Sequence, residues 1–209
     1  MHLTLLGATG PTGQQVLTQA LKAGHTITVL VRDPAKLPQR GDQRVTVVTG
    51  DATRTDDLKR ALDGSDALIS ALGAGKDFKS DLAGRAARAL VPAAEATGVT
   101  RVVVLSALGS GRTEPDIAAL PKLAIKLLMS KLFADKAVAD GLIRASALDW
   151  TLVYPAILTN GRHTGRYRAV DKPTRKVGDR ISRADVAEFL LHAAEGQEWS
   201  HRDAVLLTR

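Results

Sequence analysis

Apolar and polar positions alternate along the chain in short and long runs. Residues 3–6 form a compact apolar run, residues 14–23 carry helical spacing and stop at Gly24, and residues 26–31 are a β-branched run typical of a strand buried on both faces. The rhythm continues with a strand over 44–49, a helix over about 55–62 and a strand over 67–72. An alanine-rich helix follows over about 77–97, closed by Gly98, and then a strand over 101–105. The stretch 109–121, with Gly109, Gly111, Pro115 and Pro121, predicts a mobile loop. Residues 120–133 are apolar apart from Lys122, Lys126 and Lys131. This basic amphipathic segment suits either a membrane surface or, as the preferred reading, a lid or packing helix beside a pocket. A strand over 146–154 with Trp150 in the core precedes a polar stretch that holds a short strand over 166–170. Ser182 and Asp185 resemble a capping box that opens a helix running to about residue 194, and residues 204–207 make a closing strand. Strands alternating with helices predict an α/β fold: a Rossmann-like, doubly wound parallel sheet, with residues 1–209 as a single domain and a small C-terminal substrate-side part.

Against that pattern the most informative turn is the first, Gly7-Ala8-Thr9-Gly10-Pro11-Thr12-Gly13. A tight turn after a parallel strand leaves no room for a side chain at Gly7. Gly10 lets the backbone approach a pyrophosphate, and Gly13 lets the next helix lie close on the sheet with its N-terminal amides facing the anion. The second informative position is the end of the following strand, where an NAD site usually places an acid on the ribose hydroxyls. Here Arg32 stands instead, a planar fork suited to a 2′-phosphate, which predicts NADP(H). Asp33, followed by Pro34, reads as an N-cap and not as the ribose acid. Because ligands bind beyond strand C-termini in open parallel sheets, the glycine turn, Arg32, Asp51, Ala52, Leu72, Gly73, Ala74 and Ser106 should share one crevice.

Composition narrows the partners. The net charge of +7 could serve nucleic acid, but the basic residues are scattered and few aromatics accompany them, so an anionic small ligand is the better use. The absence of cysteine excludes disulfides, thiolate metal sites and a cysteine nucleophile, and suits a reducing cytoplasm. The five histidines lie far apart, predicting surface or turn residues and no metal. No basic leader and no transmembrane segment is expected, and the protein is read as a monomer or small homo-oligomer.

With Leu-Val-Arg-Asp at 30–33, Gly-Asp-Ala at 50–52, Ser-Ala-Leu-Asp-Trp-Thr at 146–151 ahead of Tyr154-Pro155, and Ile-Ser-Arg-Ala-Asp-Val-Ala at 181–187 added to the glycine turn, the chain resembles an atypical short-chain dehydrogenase/reductase. Within that superfamily it is most similar to the NADPH-dependent flavin reductase/biliverdin-IXβ reductase group. The resemblance implies that Thr9 to Gly13 meet the phosphates, Arg32 the adenosine phosphate, Asp51 and Ala52 the adenine, and Leu72 to Ala74 the central riboses. It places Ser106, Pro155, Ala156, Ile157 and Leu158 near the nicotinamide. Superfamily dehydrogenases carry a proton-donating Tyr four residues before a Lys, but four residues before Lys136 stands Leu132. Nor does a histidine follow Pro155. Ser106 and Lys136 are the candidate catalytic residues: Ser106 to hold the nicotinamide or polarise an acceptor, Lys136 to bond a ribose hydroxyl or sit on a solvated helix face. The expected activity is hydride transfer from NADPH to a flavin-like, quinone-like or other conjugated acceptor, stacked on Tyr154, Tyr167, Phe78 or Phe133. A non-catalytic NADP(H)-binding sensor is the alternative.

Overall fold

The computed structural model describes residues 1–75 and 77–208, which form ten strands and six α-helices. The strands are β1 His2–Leu6, β2 Thr26–Val31, β3 Val45–Thr49, β4 Ala67–Ser70, β5 Arg101–Leu105, β6 Asp149–Pro155, β7 Ile157–Thr159, β8 Tyr167–Val170, β9 Arg180–Ser182 and β10 Arg202–Thr208. The helices are α1 Pro11–Lys22, α2 Thr55–Leu62, α3 Leu82–Thr97, α4 Ala119–Leu128, α5 Ser130–Ala145 and α6 Arg183–Glu195. Eight strands form one sheet in the order β3-β2-β1-β4-β5-β6-β10-β8, parallel except for β8, which pairs antiparallel with β10. The chain reverses its direction of travel across the sheet between β1 and β4, so the crevice expected of a doubly wound sheet opens beyond their C-terminal ends.

The β-branched and leucine runs are buried because helices cover both faces: α1 and α6 pack together on one side, α2, α3 and α5 on the other. The α1/α6 contact is tied by polar bonds at both ends. Gln19 Nε2 donates to Ala184 O at 2.8 Å, and His25 Nε2 lies 2.7 Å from Glu195 Oε1. Arg101, buried in β5, links α6 to the sheet by donating to Ala193 O and to the hydroxyl of Thr151 at 2.7 Å, and pairs with Asp149 at 3.1 Å. Burial pushes its guanidinium pKa down, and the Asp149 charge opposes the shift.

Several boundaries differ from expectation for local reasons. Helix α1 starts at Pro11, three residues early, since proline at the first helical position loses no hydrogen bond. Helix α3 starts at Leu82, not 77. Residues 77–81 instead turn around Asp77, which accepts from Lys79 N at 3.0 Å, and the first amides of α3 at Ala83 and Gly84 are capped by Asp135 of α5, at 2.8 and 3.0 Å. The expected loop over 109–121 holds a 3-10 turn, Gly111–Asp116, and the start of α4. That turn is stitched by Thr113 Oγ1, which accepts from Gly109 N at 2.9 Å and donates to Ser110 O at 2.8 Å. The small parallel pair β7/β9 was not foreshadowed by its three-residue strands. Asp33 caps as expected, accepting from Ala35 N at 3.1 Å, as does Ser182, which accepts from Asp185 N at 3.0 Å.

Candidate functional site

The three glycines of the first turn serve different ends. Gly7 has φ +79°, and a Cβ there would lie 2.5 Å from Ala71 O at the end of β4. At Gly13 a Cβ would overlap the Gly7 carbonyl, with the carbonyl carbon at 2.7 Å. Both positions are therefore demanded by the protein's own packing. Gly10 is different: its φ and ψ, −81° and 161°, suit any residue, and a Cβ would meet only Gly7 O, at 3.3 Å. The space beside Gly10 is open toward the crevice. No side chain caps α1, and Pro11 brings no amide, so the first-turn amides of Thr12 and Gly13 are left for an anion. A pyrophosphate fits this cradle.

From the cradle a cavity of about 560 Å³ runs along the strand ends. Gly7, Thr9, Gly10, Pro11, Thr12, Arg32, Asp51, Ala52, Leu72, Gly73, Ala74, Ser106, Lys136 and Leu158 all line it, so the structure brings together most of the residues singled out from sequence. Gly13 lies beneath the turn and does not. Pro155, Ala156 and Ile157 are also outside the lining. Pro155 and Ala156 are buried at the end of β6, where Ala156 N donates to Leu206 O at 3.0 Å, and Ile157 is exposed on the other side. Only Leu158 of that group reaches the cavity.

At the β2 end, Arg32 is exposed and has no hydrogen bond or ion pair among the described residues. Arg85 of α3, not singled out from sequence, lines the same wall and donates to Thr53 Oγ1 at 3.2 Å. Between them Asp51 Oδ1 accepts from Thr53 N at 2.8 Å and from Thr53 Oγ1 at 2.9 Å. The Thr53 amide, and then against burial the Thr53 hydroxyl, Arg32 and Arg85, hold the Asp51 carboxyl below the usual carboxylate range. Asp51 is thus an ionised anchor between two guanidiniums.

The opposite end is built around a buried carboxylate that sequence reasoning missed. Asp140 Oδ2 accepts from Ser106 Oγ at 2.8 Å, from Tyr154 Oη at 3.0 Å and from Ser110 Oγ at 3.2 Å, and Asp140 is only 2% exposed. Arg144 donates to Tyr154 Oη at 2.6 Å and pairs with Asp203 at 2.9 Å. Burial pushes the Asp140 carboxyl up, against the pull of the Ser106 and Tyr154 hydroxyls and the Lys136 and Arg144 charges. Lys136, one helical turn before Asp140, lines the cavity and forms no hydrogen bond or ion pair among the described residues. Burial lowers its pKa, opposed by Asp140 and Asp135. Leu132, buried, lines the cavity wall one helical turn before Lys136.

Two expectations are corrected. Tyr154 cannot be a stacking platform, because its ring is fully buried and its hydroxyl is spent on Asp140. Tyr167 is likewise committed, edge-on to Phe189 with ring centroids 6.3 Å apart. Phe78 is exposed outside the cavity lining, and Phe133 is the candidate aromatic that lines it. The histidines are not all surface or turn residues. His25 is buried against Glu195, whereas His163 is exposed as expected, its Nε2 2.9 Å from Glu188 and 4.0 Å from Asp185. Asp185 nevertheless has its oxygens filled by Thr164 N, Gly165 N and the hydroxyls of Thr164 and Ser182, which makes it a structural anchor.

A family model described as NAD(P)H-binding matches residues 7–197. Among relatives, the chain is 31% identical to the chloroplastic protein At2g34460 of Arabidopsis thaliana over 214 residues, spanning 97% of this chain and 75% of that protein. Among solved structures, the oxidoreductase YlbE of Lactococcus lactis superposes with a TM-score of 0.87 at 24% identity, covering 100% of this chain and 91% of that one. ChuY of Escherichia coli O157:H7, an anaerobilin reductase, superposes with a TM-score of 0.82 at 25% identity, covering 100% and 97%. With its glycine cradle, crevice and sheet order, the chain belongs to the family described as NAD(P)H-binding.

Proposed function

We propose that this protein is an NADPH-dependent reductase that passes hydride to a flavin-like or quinone-like conjugated acceptor. The observation that carries this reading is the lack of a placed proton donor of the usual kind. Leu132 fills the phenol's position, and the Ser106 hydroxyl proton is directed inward to Asp140 at 2.8 Å. Reduction of an isolated ketone requires a proton at the carbonyl oxygen as hydride arrives, whereas a delocalised acceptor holds the added charge and takes its proton from water. When bound, NADPH supplies the hydride. The chain's own residues bind, orient and stabilise. Arg32, without an internal partner among the described residues, selects the 2′-phosphate, and the uncapped start of α1 holds the pyrophosphate. Ser106, donating inward, turns its lone pairs to the cavity and orients an amide group there. The Lys136 side chain lines the cavity beside the acceptor and offers a hydrogen-bond donor where negative charge develops. Met129, Leu132 and Phe133 give the acceptor an apolar wall. The similarity to an anaerobilin reductase supports a reductive reaction.

The test is to supply NADPH with a panel of flavins, quinones and simple ketones and follow loss of NADPH absorbance. Oxidation with the conjugated acceptors and not with ketones is the expected outcome. Efficient ketone reduction with every flavin and quinone untouched would overturn the mechanism, and tight NADPH binding without turnover would favour a sensor.

A further inference from the structure

We propose that α4 docks this protein on the surface of an anionic phospholipid bilayer. On this ten-residue helix Leu120, Leu123 and Leu127 are 79%, 53% and 71% exposed and, at i, i+3 and i+7, share one face, while Leu128 beside them is 71% exposed. Ile125 and Met129 turn toward the protein instead, Ile125 against Gly109 and Met129 into the cavity wall. Four leucines projecting from a single helix are far more apolar exposure than a surface helix needs.

The flanking charges say what covers them. No acidic residue occurs between Glu114 and Asp135 apart from Asp116, which precedes the helix, and the basic residues of the segment are Lys122, Lys126 and Lys131. Lys122 is paired with Glu114 at 3.1 Å, and Lys126 and Lys131 have no ion pair among the described residues. A leucine face edged by free ammonium groups matches the interface of an anionic bilayer, with leucines among the acyl chains and lysines at the headgroups. Two other occupants fit less well. Pairing with a second copy through the same face would bring the lysines of both helices together with no acid on either. Closure over the cavity is not served by these leucines, since none of Leu120, Leu123, Leu127 and Leu128 lines it. No helix among the described residues is long and apolar enough to cross a membrane, so the contact is interfacial. This inference does not depend on the acceptor chemistry proposed above.

The experiment is cosedimentation of the full chain with vesicles of phosphatidylcholine alone and of phosphatidylcholine mixed with phosphatidylglycerol, at low and high salt. Binding to the mixed vesicles, weakened by salt, is expected. Replacing Lys126 and Lys131 together by Gln should lower partitioning about fivefold per lysine. The double variant Leu123→Glu/Leu127→Glu should lower it about a hundredfold or more while leaving the thermal midpoint in place, because both side chains are exposed. Three results would overturn the proposal: no binding to the mixed vesicles at low salt, binding that the leucine variant leaves intact, or sedimentation of the wild type as a dimer that the leucine variant dissociates, with no vesicle binding.

Discussion

Replacing Gly10 by Ala should separate cofactor binding from folding. The φ of −81° and ψ of 161° are ordinary for alanine, and the added methyl would meet one atom, Gly7 O, at 3.3 Å, a contact relieved by a shift of a few tenths of an ångström. Losing glycine at an N-cap costs about 1 kcal/mol. The lower entropy of the unfolded alanine chain returns roughly 0.4 to 1 kcal/mol, so the net change in stability is near zero. The methyl nevertheless projects into the space through which a pyrophosphate reaches the α1 amides. Each charge-assisted hydrogen bond lost there is worth roughly 1.5 to 3 kcal/mol, or about one to two decades in Kd. Gly13→Ala is the control. Its methyl would overlap the Gly7 carbonyl, so the backbone must move, and a loss of several kcal/mol would lower Tm by about 2 to 4 °C per kcal/mol. Calorimetric titration with NADPH and thermal unfolding should therefore show Gly10→Ala folded and non-binding, and Gly13→Ala destabilised. A Gly10→Ala protein that binds NADPH as the wild type does would show that the loop is only a turn.

Arg32→Glu should weaken NADPH by about one to two decades, from loss of a guanidinium–phosphate contact, and leave NADH equal or improved; equal affinity of the wild type for both would refute the role given to Arg32. Ser106→Ala should lower turnover by about tenfold or less, because it removes an orienting group and not an obligatory acid; abolition of turnover in a variant that still binds NADPH would reverse that assignment. Burial pushes the Asp185 carboxyl up, but bonds from Thr164 N, Gly165 N and the Ser182 and Thr164 hydroxyls outweigh it and hold the pKa below its ordinary value. A lowered folded-state pKa contributes stability that is fully present above the unfolded value near about 4 and is lost as pH falls through the folded one. Acid titration of the unfolding midpoint should accordingly be shallower below about pH 4 in Asp185→Asn than in the wild type, and identical slopes would contradict it.

What could be read from the residues was what depends on near neighbours. The β-branched runs of β2, β3 and β5, the proline-backed cap at Asp33 and the glycine turn are local arrangements whose cause lies within a few positions. Arg85 and Asp140 were not legible, because each sits on a helix with nothing in its own surroundings to mark it. Arg85 reaches the crevice, and Asp140 meets Ser106 behind it, only when α3 and α5 pack against the sheet. The same holds for the start of α3, capped from α5 by Asp135, and for Tyr154, whose burial follows from β6 lying between β5 and β10. Ser106 was marked from its place at a strand end, but the direction of its hydroxyl depended on a partner 34 positions away.

The bonds that tie α6 to α1 bear on the order of synthesis. The glycine turn is synthesised well before α6, yet the helix it opens is backed by α6 through Gln19 with Ala184 and His25 with Glu195. Contacts of such sequence separation form late. A nascent chain carrying the glycine turn, Arg32 and even Ser106 would lack the support behind α1 until α6 was made. A ribosome-stalled chain ending before Arg183 should thus fail to retain NADPH even though α1 and its turn are already outside the exit tunnel.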